Sequence, residues 1–183
     1  MRNSDIIIFI YDKIIYYNIV ISNSSPLIHL TRLGKINYLF KLVKHINIPK
    51  AVFDEVVVEG KLKNYSEAFT IERFVKEEKI IVINVGSFDE SLYPPLGKGE
   101  LESLELARMK NDLLLIDEKK SRNLAQILQI EHQTTIATIF ELLISRNIDF
   151  SEYISNLKLY AENSWVSADI IQEYIEKGEE YGR

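Results

Sequence analysis

The chain of 183 residues contains no cysteine, which excludes a disulfide framework, a thiol nucleophile and a thiolate metal site. Glycine and proline are scarce, with 7 and 4 residues, and no low-complexity tract is present. No apolar run is long enough to span a membrane, because Asp12 and Lys13 follow the short run at residues 6–10. The first residues also lack the basic start and small-residue cleavage site of a signal peptide. We therefore expect a cytoplasmic protein without a membrane segment.

An excess of positive charge is missing too, since 27 acidic and 22 basic residues give a net charge of −5. This balance argues against a broad surface that coats nucleic acid, although a local basic groove or a metal-bridged phosphate stays open. Apolar residues make up 46% and charged residues 27%, as in ordinary globular proteins. The length suits one domain over residues 19–183, with closing helices over 149–179. Residues 1–18 are predicted to be an extension, formed as an extra strand or as a hairpin of residues 6–10 and 14–17.

The segment at residues 97–117 is the most informative part of the chain. Gly97 and Gly99 mark a loop, and apolar residues then recur at helical spacing as far as Lys110. Residues 113–116 are apolar without alternation. This pattern is typical of a central parallel strand that helices cover on both faces, and it predicts an α/β fold.

Two carboxylates are expected to meet at one edge of that sheet. The helix from Lys98 to Lys110 runs about 18 Å at roughly 1.5 Å per residue. The strand that follows returns about 16 Å at roughly 3.3 Å per residue. A right-handed crossover then brings Glu100 and Asp117 to the carboxyl edge, where open α/β sheets place their sites. Because neighbouring carboxylates repel each other, this arrangement indicates a bound cation. The structural alternatives are helix-start electrostatics for Glu100 and a cap of the next helix for Asp117.

Two earlier segments carry further polar candidates. Residues 23–26, Asn-Ser-Ser-Pro, follow a β-branched run. Their capping side chains and the proline are signals for the start of a helix, and the proline is expected at the first helical position. The next helix is predicted over residues 49–59 and is expected to end at Gly60. Within it, an i,i+4 ion pair with Lys50 explains Asp54. Glu55 lies on an otherwise apolar side and is the better functional candidate.

The histidines and the large aromatic residues are assigned structural roles. The three histidines are scattered along the chain and suggest no metal cluster. Phe69 and Phe74 are predicted to be buried by a helix over residues 65–77. Trp165 lies between the two closing helices and is predicted to pack in the core or at an interface.

Four sequence segments, taken in chain order, have the motifs of a known family. They read VISNSSPLI at residues 20–28, IPKAVFDEV at 48–56, GKGE at 97–100 and LIDEKKSR at 115–122. Together they resemble the PIN-domain-like proteins of prokaryotes, in particular an uncharacterised branch related to VapC toxins. The most specific piece is GKGE, followed at the right distance by Asp117 and Arg122.

The resemblance implies a three-layer α/β/α sandwich with a central, mainly parallel sheet and a metal-dependent ribonuclease activity. Carried over position by position, the ligands of Mg²⁺ or Mn²⁺ are Glu100, Asp117, Glu55 and Asn23. The small hydroxyl beside the first ligand falls on Ser24 or Ser25. The cationic candidates for phosphate contacts are Lys98, Lys119 and Arg122. For Lys119, Lys120 and Arg122 an ordinary solvated face is the structural alternative. RNA is the implied substrate, and a small antitoxin protein and a second copy of the chain are the implied partners.

The sequence departs from the family at two places. Asn23 stands where active PIN nucleases have aspartate, and an amide oxygen can ligate a hard cation but brings no negative charge. Residues 134–138 stand where relatives carry glycines near a helix start. We therefore predict weak or latent ribonuclease activity. A non-catalytic nucleic-acid-binding or interaction module on the same fold is the alternative. A metal-dependent phosphatase ranks last, because Asn23 cannot serve as its nucleophile.

Overall fold

The computed structural model of the protein describes residues 7–10, 13–16 and 19–181. Strands β1 (Ile7–Ile10) and β2 (Lys13–Tyr16) pair antiparallel with each other, apart from the main sheet. Residues 6 and 17, also assigned to this hairpin, lie outside the described residues. The main sheet is parallel and contains β3 (Ile19–Ser22), β4 (His45–Pro49), β5 (Ile80–Ile83), β6 (Leu113–Leu115) and β7 (His132–Gln133), in the spatial order β5-β4-β3-β6-β7.

Helices connect these strands and close the chain. Before β6 they are α1 (Ser24–Arg32), α2 (Ile36–Leu42), α3 (Lys50–Phe53), a π-helical segment (Asp54–Glu59), α4 (Gly60–Leu62), α5 (Ser66–Lys76), a short 3₁₀ turn (Glu90–Leu92) and α6 (Lys98–Lys110). After β6 they are α7 (Lys119–Ile127), α8 (Thr135–Ile144), α9 (Phe150–Asn163) and α10 (Ala168–Tyr181). The predicted helix from Lys98 to Lys110 is confirmed.

Alternate residues of the central strands face opposite helical layers. One face carries Val20, Leu113 and Leu115, which pack against α1, α2 and α5. The other face carries Ile21, Leu114 and Ile116, which pack against α6 and α7. All six side chains are at most 2% exposed. Burial on both faces explains the unbroken apolar run before Asp117, and the predicted three-layer α/β/α architecture is confirmed.

Helices α8, α9 and α10 form a third apolar cluster around Tyr153. The Tyr153 ring is fully buried, and its hydroxyl donates a hydrogen bond to the carbonyl oxygen of Tyr174, 2.5 Å away. Gly178 of α10 lies so close that a Cβ there would come within 2.3 Å of Tyr153 Cε1. An ion pair between Lys35, at the start of α2, and Glu152 joins this cluster to the rest of the domain. Across the part of the chain that the structure describes, no helix is both long and apolar enough to cross a membrane.

Three local predictions are wrong. The helix from Lys50 does not end at Gly60. Because Gly60 has no side chain, this helix can lie against Ala68; a Cβ at Gly60 would come within 2.9 Å of Ala68 Cβ. Pro26 is the third residue of α1, because the helix begins at Ser24. Phe69 is 49% exposed, while Phe74 is buried as predicted. The Trp165 side chain is fully exposed, which excludes the core and leaves the interface as its predicted role.

Candidate active site

The sheet order creates a topological switch point between β3 and β6. The chain runs from β3 outward through β4 to β5 and then crosses to β6 on the other side of β3. Asn23 directly follows β3, and its backbone N–H donates to the carbonyl oxygen of Leu115 at the end of β6, at 3.0 Å. Asp117 comes two residues after Leu115. Open parallel sheets bind their ligands at this kind of position, at the carboxyl ends of the strands.

The Asn23 side chain has an acceptor that nothing in the described structure satisfies. Asn23 is 4% exposed, and its Oδ1 atom is buried without a hydrogen-bond partner among the described residues. Asn23 is the N-cap residue of α1 but makes no side-chain capping bond. Pro26 contributes to this, because as the third helical residue it has no N–H to offer. A buried acceptor left unpaired costs about 1–3 kcal/mol, so a group that is absent from the chain itself is expected to satisfy it.

The backbone of Gly99 lies beside that acceptor. A Cβ on Gly99 would lie 3.7 Å from Asn23 Oδ1, and 3.3 Å from both Glu55 Oε2 and Val52 Cγ2. Ser24 Oγ donates a hydrogen bond of 2.6 Å to the same Glu55 oxygen. The fold therefore brings together three residues predicted from the sequence, Asn23, Ser24 and Glu55, around one glycine.

Glu55 differs from its predicted environment. The sequence suggested a side chain that leans toward the interior, whereas Glu55 is exposed and only its neighbours Val56 and Val57 are buried. The cause is the π-helical segment, since a wider turn shifts the side chains away from the faces expected for an α-helix. The predicted ion pair of Asp54 with Lys50 is confirmed.

Glu100 is held by one hydrogen bond within the start of α6 and by one to α7. Its Oε2 accepts from the Gly97 N–H at 2.8 Å, and its Oε1 accepts from the buried Ser121 hydroxyl of α7, also at 2.8 Å. Glu102, which the sequence did not single out, accepts from the Ala51 N–H at 3.1 Å. This bond ties α6 to α3 and so holds Gly99 against the helix that carries Glu55.

Asp117 caps α8 rather than the helix that directly follows it. Its Oδ1 accepts from the Thr135 N–H at 2.8 Å and its Oδ2 accepts from the Thr135 hydroxyl at 2.7 Å. Thr135 thus supplies two donors to the site, since it begins α8 just after β7, the neighbour of β6. His29 Nδ1 lies 3.1 Å from Asp117 Oδ2, and Nε2 of the same ring lies 3.2 Å from the Asn163 carbonyl oxygen. Sequence reasoning missed both His29 and Thr135.

A family model with the description "DUF3368: PIN domain" matches residues 19–180. The chain belongs to this PIN-domain family. One similar solved structure is "A domain of a functionally unknown protein from Methanocaldococcus jannaschii DSM 2661", with 21% sequence identity and a TM-score of 0.46; the match covers 64% of this chain and 90% of that chain. A search of curated proteins returns no match. Membership suggests nuclease activity and nucleic-acid binding, and PIN domains generally use divalent metal ions.

The oxygen atoms around Gly99 fit such an ion in chemical type. An amide oxygen and carboxylate oxygens are the ligands that Mg²⁺ and Mn²⁺ take. The fit rests on Asn23 and Glu55, because the Asn23 acceptor is unpaired and Glu55 is exposed. Glu100 and Asp117 each use both carboxylate oxygens in the internal bonds given above. Within residues 19–181, no group of three or more His, Asp or Glu side chains is assembled closely enough to hold a metal ion.

One cation of the PIN domain stands out beside Asp117. The Nε atom of Arg122 is buried and has no hydrogen-bond partner in the described part of the chain. The charges of both residues act on the phenol of Tyr160. Burial raises the pKa of Tyr160 most, the charge of Asp117 raises this pKa further, and the charge of Arg122 lowers it. The other cationic candidates, Lys98, Lys119 and Lys120, are exposed, with Lys98 Nζ lying 3.8 Å from Glu102 Oε1. Ser25 is half-buried.

Proposed function

We propose that this PIN domain is a metal-dependent ribonuclease that hydrolyses phosphodiester bonds of RNA. The observation that carries the proposal is the buried, unpaired Oδ1 atom of Asn23, which lies together with Glu55 beside the backbone of Gly99. In a folded protein an unpaired buried acceptor of this kind calls for a ligand. A divalent cation at the switch point of the sheet is the ligand that matches an amide oxygen and a carboxylate.

Each candidate residue has a distinct role in this proposal. Asn23 and Glu55 hold Mg²⁺ or Mn²⁺, and Glu100 and Asp117 complete the set of ligands. With the ion bound, a water is acidified and the charge on the phosphoryl oxygens is offset. Ser24 positions Glu55 through its 2.6 Å hydrogen bond.

The cationic side chains and Ser25 contact the substrate. Arg122 binds a phosphate with the Nε donor that is unpaired in the described structure. Lys98 and Lys119 are exposed and add weaker contacts to the phosphate backbone. Ser25 lies in the first turn of α1, where backbone N–H groups also favour an anion.

The activity is expected to be weak or latent for two reasons. Asn23 contributes no charge, so the ion is held by one carboxylate fewer than in PIN nucleases that have aspartate there. The hydrogen bonds of Glu100 and Asp117 to Ser121 and Thr135 also compete with a metal ion for the lone pairs of these carboxylates. Both effects lower the affinity for the ion in the absence of RNA.

The same bonds favour a second candidate function. If Glu100 and Asp117 serve only to hold α7 and α8 in place, the protein is a non-catalytic PIN module that binds nucleic acid or another protein. The difference between the two functions is measurable, because only the ribonuclease requires a divalent ion at Asn23 and Glu55.

The test combines calorimetry with Mn²⁺ and cleavage of a fluorescent single-stranded RNA. We expect millimolar Mn²⁺ to bind and to support slow cleavage, and Glu55→Gln to reduce both. Asp54→Asn is the matched control, because Asp54 lies next to Glu55 but pairs with Lys50. We expect Asn23→Asp to tighten Mn²⁺ binding and to increase cleavage. An absence of cleavage in wild type and in Asn23→Asp, together with Mn²⁺ binding that Glu55→Gln does not change, would establish the non-catalytic module instead.

The relation to VapC toxins adds a biological role to the proposal. We propose that the chain is the toxin of a toxin–antitoxin pair, that it binds a small antitoxin and that it forms a homodimer. Tyr153, Leu157 and Tyr160 of α9 are buried within the chain itself, so a dimer must use other residues. Light scattering of the purified protein tests the dimer, and co-expression with the protein encoded beside it tests the antitoxin.

A further inference from the structure

A cavity of about 290 Å³ lies next to the candidate active site. It is formed by the end of α1, the start of α5 and the end of α9, and its walls include His29, Arg32, Glu67, Leu159, Tyr160 and Asn163. The His29 ring belongs to both places, because its Nδ1 atom lies 3.1 Å from Asp117 Oδ2. One imidazole therefore separates the cavity from a carboxylate of the candidate site.

The charged groups of the cavity neutralise each other. Arg32 donates from Nε and Nη2 to Glu67 Oε1, and the Glu67 side chain is only 7% exposed. The pair leaves no free positive charge on Arg32 for a phosphate. The Arg32–Glu67 pair instead offers fixed hydrogen-bond donors next to fixed acceptors, an arrangement that suits a neutral ligand which both donates and accepts hydrogen bonds.

Flat aromatic surfaces complete the cavity. The rings of His29 and Tyr160 meet edge to face, with their centroids 5.1 Å apart. Leu159 adds an apolar wall and is 41% exposed, so the cavity opens to solvent along α9. A planar ring that carries hydrogen-bonding groups matches these walls better than an ion or an aliphatic chain does.

Trp165, which follows the cavity residue Asn163 closely in the sequence, supplies a second aromatic surface. It is the single tryptophan of the sequence, it comes two residues after Asn163, and its side chain is fully exposed. An exposed aromatic ring is a surface on which unpaired bases stack, at about 1–3 kcal/mol per base.

We propose that this cavity is a nucleobase subsite, which takes the base of one unpaired nucleotide whose phosphate is bound at Arg122. The inference rests on the proposed function of the neighbouring site, and it adds a preference for single-stranded RNA with an unstacked base. Trp165 stacks on the bound base or on the next base along the strand. The same chemistry is offered by a free mononucleotide, which the experiment distinguishes from RNA.

The experiment measures binding without cleavage, in EDTA, through the fluorescence of Trp165. A short single-stranded RNA, the four ribonucleoside 5′-monophosphates, an abasic oligonucleotide and inorganic phosphate are the probes. We expect the RNA to quench Trp165 saturably, mononucleotides to bind more weakly, and the abasic oligonucleotide and phosphate to have no effect. Tighter binding of a mononucleotide than of RNA would overturn the assignment to an RNA substrate.

Leu159→Glu is the decisive variant, because it places a negative charge at the opening of the cavity on a half-exposed position. Ser155→Glu is the control, with the same added charge on an exposed residue of α9 outside the cavity. We expect Leu159→Glu to weaken RNA binding about tenfold or more, and Ser155→Glu to leave it unchanged. Equal affinities of the two variants, or equal binding of abasic and intact RNA, would refute the subsite.

A cleavage assay with Mn²⁺ separates this proposal from the preceding one. Base-dependent binding that Leu159→Glu abolishes, without any cleavage by wild type or by Asn23→Asp and with Mn²⁺ binding that Glu55→Gln does not change, supports the subsite and refutes the ribonuclease. Cleavage by wild type with affinities that Leu159→Glu does not change supports the ribonuclease and refutes the subsite.

Discussion

Replacing Gly99 by alanine is expected to separate the stability of the fold from the function of the site. Gly99 is the second residue of α6 and is not among the residues with positive φ, so alanine suits its backbone. The exchange favours the helix by up to about 1 kcal/mol. Against this, the new Cβ would lie 3.3 Å from Val52 Cγ2, and Val52 is fully buried. Crowding of this kind costs about 1–3 kcal/mol, so we expect the free energy of unfolding to fall by about 3 kcal/mol at most.

The effect of Gly99→Ala on metal binding cannot be offset in this way. The same Cβ would lie 3.7 Å from Asn23 Oδ1 and 3.3 Å from Glu55 Oε2. A divalent ion of this class sits about 2.0–2.1 Å from each ligand oxygen, so it competes with the methyl group for the same space. We expect the affinity for Mn²⁺ to fall about tenfold or more, and cleavage of RNA to fall with it.

Calorimetry with Mn²⁺ and urea unfolding of the same samples check this prediction. Asn111→Gly is the matched control, because Asn111 ends α6 at a φ of 54° and lies at the opposite end of the helix from Gly99. Glycine adopts this conformation without strain, so the control changes the stability of the helix and leaves Mn²⁺ binding intact. If Gly99→Ala binds Mn²⁺ as tightly as wild type, the space at Gly99 is not the metal site and the reasoning fails.

Two further predictions concern packing and pH. Gly178→Ala should lower the free energy of unfolding by about 1–3 kcal/mol and expose α10 to proteolysis, because the new Cβ would come within 2.3 Å of the buried Tyr153 ring. If urea unfolding and proteolysis of the variant match those of wild type, the tight contact between Gly178 and Tyr153 is contradicted. Hydrogen bonds from Arg108 hold the pKa of Glu105 below its ordinary value of 4.5, so their contribution to stability is complete above that pH and is lost as the pH falls through the lowered pKa. Arg108→Gln should therefore lose less stability than wild type when the pH falls below 4.5 in urea unfolding, and equal losses in the two proteins would contradict this reasoning.

Much of the fold follows from local patterns in the sequence. The apolar run before Asp117 predicted a strand covered on both faces, and the spacing after Gly99 predicted the helix to Lys110; both are present. The local signals failed where a contact between distant segments decided the outcome. The local pattern predicts a helix end at Gly60, but Gly60 lies inside a longer helix because Ala68 packs against it.

The candidate site was predictable in its residue types and only in part in its arrangement. Polar residues at the ends of buried strands indicated Asn23 and Asp117, and parallel topology indicated that they share an edge. No periodicity indicated His29 as a partner of Asp117, because the two residues are 88 positions apart and meet only when α1 packs beside β6.

By itself the sequence determined the layers of the fold, the strands that end in polar residues and the membership of the PIN family. Only the tertiary structure decided which oxygen atoms are engaged and which are unpaired. The physical reason is that periodicity reports which face of an element is buried, whereas a hydrogen bond depends on the position of a second group elsewhere in the chain. Asn23 shows the difference: its identity is read from the sequence, but the unpaired state of its buried oxygen follows from what the folded chain places around it.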